Sequence, residues 1–167
     1  MSRVAHSSSV AMLVPALIAK RAKGGKSFQG ADEYDQGKEG ARVLETNLEG
    51  ATPRERGREI AYLCAGSKLK RLVDHWSISL DPRLGRLSDQ QWRQVARAFR
   101  KKMGYSGCAY VLTRHVDTKS DHCHMTILRR RPGGSTVSDS QDFKRSHRAK
   151  EPPHVPGDKL AGPSLAE

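Results

Sequence analysis

Aromatic residues make up only 5% of the 167 positions, and no apolar run approaches the roughly 18 residues that a bilayer-crossing helix needs. Membrane insertion through such a helix is therefore not expected. Cysteine is also scarce: Cys64, Cys108 and Cys123 are odd in number and form no C-x-x-C pair, so the sequence encodes neither a disulfide framework nor a four-cysteine zinc site. That usage fits a reducing cytoplasm. Acidic groups are in deficit, 18 against 30 Lys plus Arg, and the net charge of +12 points to a polyanion such as nucleic acid or an acidic membrane surface. The apolar stretch from Val10 to Ala19 has the look of a signal-peptide core, but Pro15 interrupts it and no A-x-A cleavage pattern follows.

The length suits one domain. Residues 1–11 read as a flexible leader, 12–150 as the folded domain, and 151–167 as a disordered tail whose Pro152, Pro153, Pro156, Gly157, Gly162 and Pro163 oppose packing. The excess charge is uneven, because residues 51–104 hold thirteen basic against five acidic side chains.

Periodicity gives the elements. A strand is expected over Leu13–Lys20 and a helix beginning near Ser27. Thr52 followed by Pro53 starts a second helix that Gly66 stops. In Leu72–Leu80, Trp76, Ile78 and Leu80 alternate with His75, Ser77 and Ser79, the mark of a half-buried strand. Ser88 and Gln91 form a capping box ahead of Trp92, Val95, Ala96, Phe99 and Met103, which recur at helical spacing until Gly104. Ala109–Val116 and His122–Arg129 then read as a hairpin, with a last short helix over Gln141–Lys150. The sum is an α+β domain: a central antiparallel sheet with helices packed mainly on one face and the other face open to a ligand.

The densest chemistry is the stretch HVDTKSDHCH at 115–124. Alternation along a strand puts His122 and His124 on one face, and hairpin closure sets His115 opposite His122. Three neutral imidazoles that leave coordination positions open suit a catalytic divalent metal, with Asp117 able to bond a ligand's second ring nitrogen. Such ligands suit manganese, zinc, nickel or cobalt, while magnesium is abundant but prefers oxygen. His75 lies on the polar face of its own strand, apart from this triad, and His6, His147 and His154 read as solvated.

The motif H-x-D-T-x-x-x-H-x-H, filled by His115, Asp117, Thr118, His122 and His124, resembles the metal motif of the HUH endonucleases, and more narrowly the plasmid mobilisation relaxases of the MobA and VirD-like type. The likeness extends to AKRAKGGKSFQGADEYDQGKEGARVLETNL, where Tyr34 stands at the position of the family's tyrosine, to HWSISL at 75–80, to LSDQQW at 87–92 and to GSTVSDSQDFKR after the hairpin. Related replication initiators and transposases place their tyrosine after the H-x-H pair, and here no tyrosine follows Tyr110. Two departures stand out: Cys123 lies between the paired histidines where an aliphatic residue is usual, and Asp35 follows the tyrosine where an apolar residue is common.

The resemblance implies a ferredoxin-like palm and a relaxase that nicks and rejoins one strand at a plasmid origin of transfer. Tyr34 would attack the scissile phosphate, with Asp117 assisting and a divalent metal ion, manganese or magnesium, held by His115, His122 and His124. It implies single-stranded DNA, relaxosome accessory proteins and a type IV secretion coupling protein as partners. The cytoplasm is the expected compartment, with delivery to a recipient cell alongside the DNA. Lys20, Arg21, Lys23 and Lys26 beside the tyrosine segment, and Arg129, Arg130 and Arg131 after the hairpin, are the expected phosphate contacts. Among rival tyrosines, Tyr62 and Tyr110 read as core. A noncatalytic basic nucleic-acid-binding module with a structural metal is the competing class.

Overall fold

A computed structural model of the chain describes residues 17–22, 27–116, 118, 120–140 and 144. Five strands, β1 (Leu17–Ala22), β2 (Arg42–Thr46), β3 (Val73–Leu80), β4 (Tyr110–His115) and β5 (His122–Leu128), pair antiparallel in the order β1-β3-β5-β4-β2. Three helices, α1 (Phe28–Gln36), α2 (Pro53–Leu63) and α3 (Asp89–Met103), complete the α+β architecture expected from the sequence. The leader, the Pro/Gly-rich tail and, apart from Lys144, the final short helix lie outside the described residues.

Local chemistry sets the boundaries. The capping boxes at Thr52–Glu55 and Ser88–Gln91 both form, each satisfying two amide groups that a helix start leaves unpaired. Gly104 ends α3 in the left-handed region at φ 82°, where a β-carbon would be strained.

Alternation along the strands sorts the side chains into two layers. Trp76, Ile78 and Leu80 of β3, Leu112 of β4, and Cys123, Met125 and Ile127 of β5 bury one face of the sheet against Trp92, Val95, Ala96, Phe99 and Met103 of α3. Each large side chain buried there contributes about 1.5–3 kcal/mol relative to exposure. This placement accounts for Cys123: it is a core residue on the α3 side, and burial pushes its thiol far up, away from thiolate chemistry.

The opposite face is not bare. Val73, Val111 and Leu128 stand on it, and Phe28 of α1 and Ile60 of α2 cover them in a second cluster. The two helices are joined by the buried pair Arg56–Asp32 at 2.7 Å, and Arg56 also donates to the carbonyls of Gly50 and Ala51. Gly57 permits their close approach, since a β-carbon there would lie 2.8 Å from Cβ of Gln29. Because β1 and β2 are the two edges of the sheet, the segment carrying α1 links opposite sides of this face. The short strand β2, with charged Arg42 and Glu45 and an irregular register between Val43 and Glu45, has no clean alternation and was not anticipated.

Candidate metal centre

Strand register builds the centre. His115 pairs directly with His122 across β4 and β5, and His124 stands two residues along on the same face between Thr113 of β4 and Ser77 of β3. The ring centroids of His115 and His124 lie 4.4 Å apart, those of His115 and His122 5.2 Å, and those of His122 and His124 5.4 Å. One potential ligand atom from each of the three rings falls within 4.8 Å of the other two.

The second nitrogen of each ring has an acceptor, and that fixes where the protons sit. His115 Nε2 lies 2.9 Å from the backbone carbonyl of Asp35, which can only accept, so Nε2 carries the hydrogen and Nδ1 the lone pair. That Nδ1 is buried and has no hydrogen-bond partner among the described residues. His122 Nδ1 donates to the Ser120 carbonyl at 3.0 Å, beside the Thr118 hydroxyl at 3.2 Å, which leaves the lone pair on Nε2. His124 Nδ1 faces Oδ1 of Asp35 at 3.2 Å. A buried, unpartnered lone pair facing two further imidazoles costs free energy in an apolar setting and is the donor set that a divalent cation satisfies. Burial, followed by the nearby His124, holds the His115 imidazole down at about 4, so it is neutral at pH 7.

Asp35 is the organising residue that the sequence did not disclose. It is 2% exposed, and its carboxylate meets His75 Nε2 at 2.8 Å as well as His124. His75 Nε2 is 3.1 Å from His124 Nδ1, so these three residues form a second group with metal-ligand spacing. Burial alone would raise the Asp35 carboxyl, but hydrogen bonds from His124 and His75 outweigh it and bring it to about 2. A carboxylate that orients a ligating imidazole raises its basicity and fixes its ring plane. The available signals were an acid where an apolar residue is common after the tyrosine, and a histidine on the polar face of β3.

The hairpin is braced from behind. Asp121, 4% exposed and adjacent to His122, accepts from the Leu87 amide at 2.7 Å, from Trp92 Nε1 at 2.9 Å and from the Arg114 guanidinium. Arg114 also donates to Asp89 and to the Leu87 carbonyl. The start of α3 is thereby tied to the residues flanking His115 and His122.

Tyr34 is 61% exposed on the last turn of α1, with Lys38 Nζ 5.0 Å from its ring centre. It directly precedes Asp35, so the two Cα atoms are about 3.8 Å apart. Tyr110 is buried as expected, with the Arg100 guanidinium 3.6 Å over its ring. Tyr62, expected in the core, is instead 83% exposed, because Arg56 and Ile60 are the buried positions of α2. Tyr105 is fully buried and bonds Asp74 and Trp76.

The basic residues divide. Lys20 is exposed on edge strand β1, in register with Ser77, which itself pairs with His124. Arg21 points to the other face, where it pairs with Asp74 and lies over the Trp76 ring. Arg129 is 7% exposed and bonded to the carbonyls of Val137 and Arg71, so it holds the turn after β5. Arg131 donates to the carbonyls of Gly104 and Ser106, and Arg130 is half-buried in a bridge to Thr136. Asp117, Lys23 and Lys26 lie outside the described residues. Among the described residues no helix is long and apolar enough to cross a membrane.

Compared with known families, residues 30–151 match the model for the relaxase family, described as MobA/VirD2-like, nuclease domain. A search of curated proteins gives no significant match.

Proposed function

The chain belongs to the relaxases as a MobA/VirD2-like nuclease domain, and from that membership we propose that Tyr34 nicks and rejoins single-stranded DNA at a plasmid origin of transfer. The observation that carries this reading is the linkage through Asp35. The residue next to Tyr34 accepts hydrogen bonds from His115 through its carbonyl and from His124 through its carboxylate. Tyr34 is the exposed tyrosine whose chain neighbour is built into the histidine cluster.

His115, His122 and His124 would hold a divalent cation, manganese or magnesium being the leading choices and zinc, nickel or cobalt also suited to imidazole. A cation held by these three imidazoles would supply Lewis-acid stabilisation of the charge that develops on the scissile phosphate. The Tyr34 oxygen forms a bond to phosphorus as the bond from phosphorus to the 3′ oxygen breaks. The phenol gives up its proton and the departing 3′ oxygen gains one, leaving a 5′-phosphotyrosyl ester and a 3′-hydroxyl. The ester conserves the bond energy, so the reverse attack by a 3′-hydroxyl reseals the strand. Lys38 beside the Tyr34 ring and the exposed Lys20 on β1 would meet phosphates. Asp117 remains a candidate for assisting proton release, and Lys23, Lys26 and Arg130 for the phosphate track.

Labelled single-stranded DNA from the cognate transfer region, incubated with manganese and run on a denaturing gel, tests this. A covalent protein–DNA adduct is expected from the native chain and from neither Tyr34→Phe nor His122→Ala. An adduct that persists in Tyr34→Phe would remove the nucleophile assignment. Binding with no adduct from the native chain would leave the noncatalytic module.

A further inference from the structure

Six of the thirteen basic residues at 51–104 are bound to acids or backbone carbonyls of the fold. Arg56 pairs with Asp32, Arg71 with Asp74 and Asp139, Arg83 with Asp81 and Arg97 with Glu45. Arg93 donates to the Leu44 carbonyl and Arg100 to that of Cys108. Arg54, Arg58, Lys68 and Lys70, like Arg86 and Lys101, are exposed and have no ion pair or side-chain hydrogen bond among the described residues, and these four are the ones grouped along one stretch of chain. They lie on α2 and the segment that leaves it.

Arg54, Arg58 and Tyr62 follow one another at a spacing of four, so they line one side of α2 over about 12 Å. The two acids of that helix accept from backbone amides, Glu55 from Ala51 and Thr52 and Glu59 from Glu49 and Gly50, and the exposed Glu55 also lies within electrostatic reach of Arg58. Along this side Arg54 and Arg58 lead to an aromatic ring, Tyr62, that is 83% exposed, and Leu69 in the segment that follows is 45% exposed. α2 belongs to the layer that covers the histidine-bearing face of the sheet.

We propose that this side of α2 and its exit, formed by Arg54, Arg58, Tyr62, Lys68 and Lys70, is a second binding surface for the single DNA strand that flanks the cleaved position. Cations follow the phosphates and Tyr62 stacks on a base, the combination by which sequence-tolerant single-strand binders work. A duplex hides its base faces within the stack and leaves an exposed ring nothing to cover it. An acidic protein partner would use the cations but gain little from the ring. The inference rests on DNA being the substrate but not on Tyr34 chemistry.

Fluorescence anisotropy tests it with labelled oligothymidine of about 30 nucleotides and a duplex of the same length. The measurement is made without metal and in a Tyr34→Phe background, so a failure to nick cannot be mistaken for a failure of this surface. Tyr62→Ala is expected to weaken single-strand binding about tenfold, Tyr62→Trp to restore it, and the duplex to be affected little by either. Replacing Arg54 and Arg58 by Gln together lowers the slope of log affinity against log salt by about 1.4. Because the Tyr62 side chain is exposed, the melting midpoint stays at the native value. Unchanged single-strand affinity in Tyr62→Ala, or an equal loss on the duplex, overturns the proposal.

Discussion

Replacing Asp35 by Asn separates the shape of this residue from its charge and gives a quantitative expectation for metal affinity. The backbone carbonyl that holds His115 is unaffected by the change. What is lost is the negative acceptor shared by His124 at 3.2 Å and His75 at 2.8 Å. A hydrogen bond to a charged partner contributes about 1.5–3 kcal/mol, and one of the two here reaches a proposed ligand directly. Loss of an orienting partner behind a metal ligand usually costs about 10- to 100-fold in affinity. With His115 and His122 still oriented by carbonyl oxygens, the expectation sits at the lower end, about tenfold, or about 1.4 kcal/mol. Calorimetric titration with manganese measures it directly, alongside His115→Ala, which removes a ligand and should all but abolish binding, and Tyr34→Phe, which should change nothing. If Asp35→Asn binds manganese as tightly as the native chain while His115→Ala does not, the claim that Asp35 orients the centre is refuted.

Acid should destabilise the fold in two stages, read from chemical denaturation without metal across pH. Between pH 6.5 and about 4 the unfolded chain takes up a proton that folded His115 refuses, so stability falls by up to about 3 kcal/mol as pH drops through that window. Asp35, whose folded carboxyl lies near 2 rather than 3.8, adds stability that is fully present above about pH 4 and is lost as pH falls toward 2. A flat profile from pH 7 to 4 would contradict the buried, neutral His115. Asp121→Ala leaves the 8%-exposed Arg114 guanidinium with Asp89 as its one counter-charge among the described residues, and a loss of about 3 kcal/mol is expected in urea unfolding; a loss below about 1 kcal/mol would show the brace to be minor. Gly50→Ala would drive a β-carbon to 2.5 Å from the Arg56 amide, so a lowered melting midpoint is expected even though the added group is apolar.

Much of this arrangement is written locally. The helix of Trp92, Val95, Phe99 and Met103 begins and ends where its caps stand, and the pairing of His115 with His122 follows from the short hairpin loop between them. What local pattern could not convey was contact across long separations. His75 is near the centre because β3 pairs with β5, a fact of sheet order rather than of any motif. Asp35 stands out in the sequence as an acid where an apolar residue is common, and its role shows once that helix is laid across the sheet. Tyr62 misled for the opposite reason: apolar neighbours at Ile60 and Leu63 suggest burial, yet the buried stripe of α2 runs through Arg56 and Ile60. Arg129, read as a phosphate contact from its place in a basic run, has its guanidinium filled by backbone carbonyls, which composition cannot reveal.

The two halves of the centre differ in how far the chain must travel to make them. His115 and His122 are joined by a loop short enough to close early and at little entropic cost, so the three imidazoles can gather as soon as one hairpin forms. The bond from His115 to Asp35 instead spans 80 residues and requires α1 to be in place between opposite edges of a finished sheet. The histidine cluster needs only local pairing, whereas Asp35, and with it the Tyr34 segment, docks on it across the sheet between the two edge strands. Under the proposed function, attack by Tyr34 on a phosphate is in this sense conditional on completed folding, because the residue beside it joins the histidines only through the finished sheet.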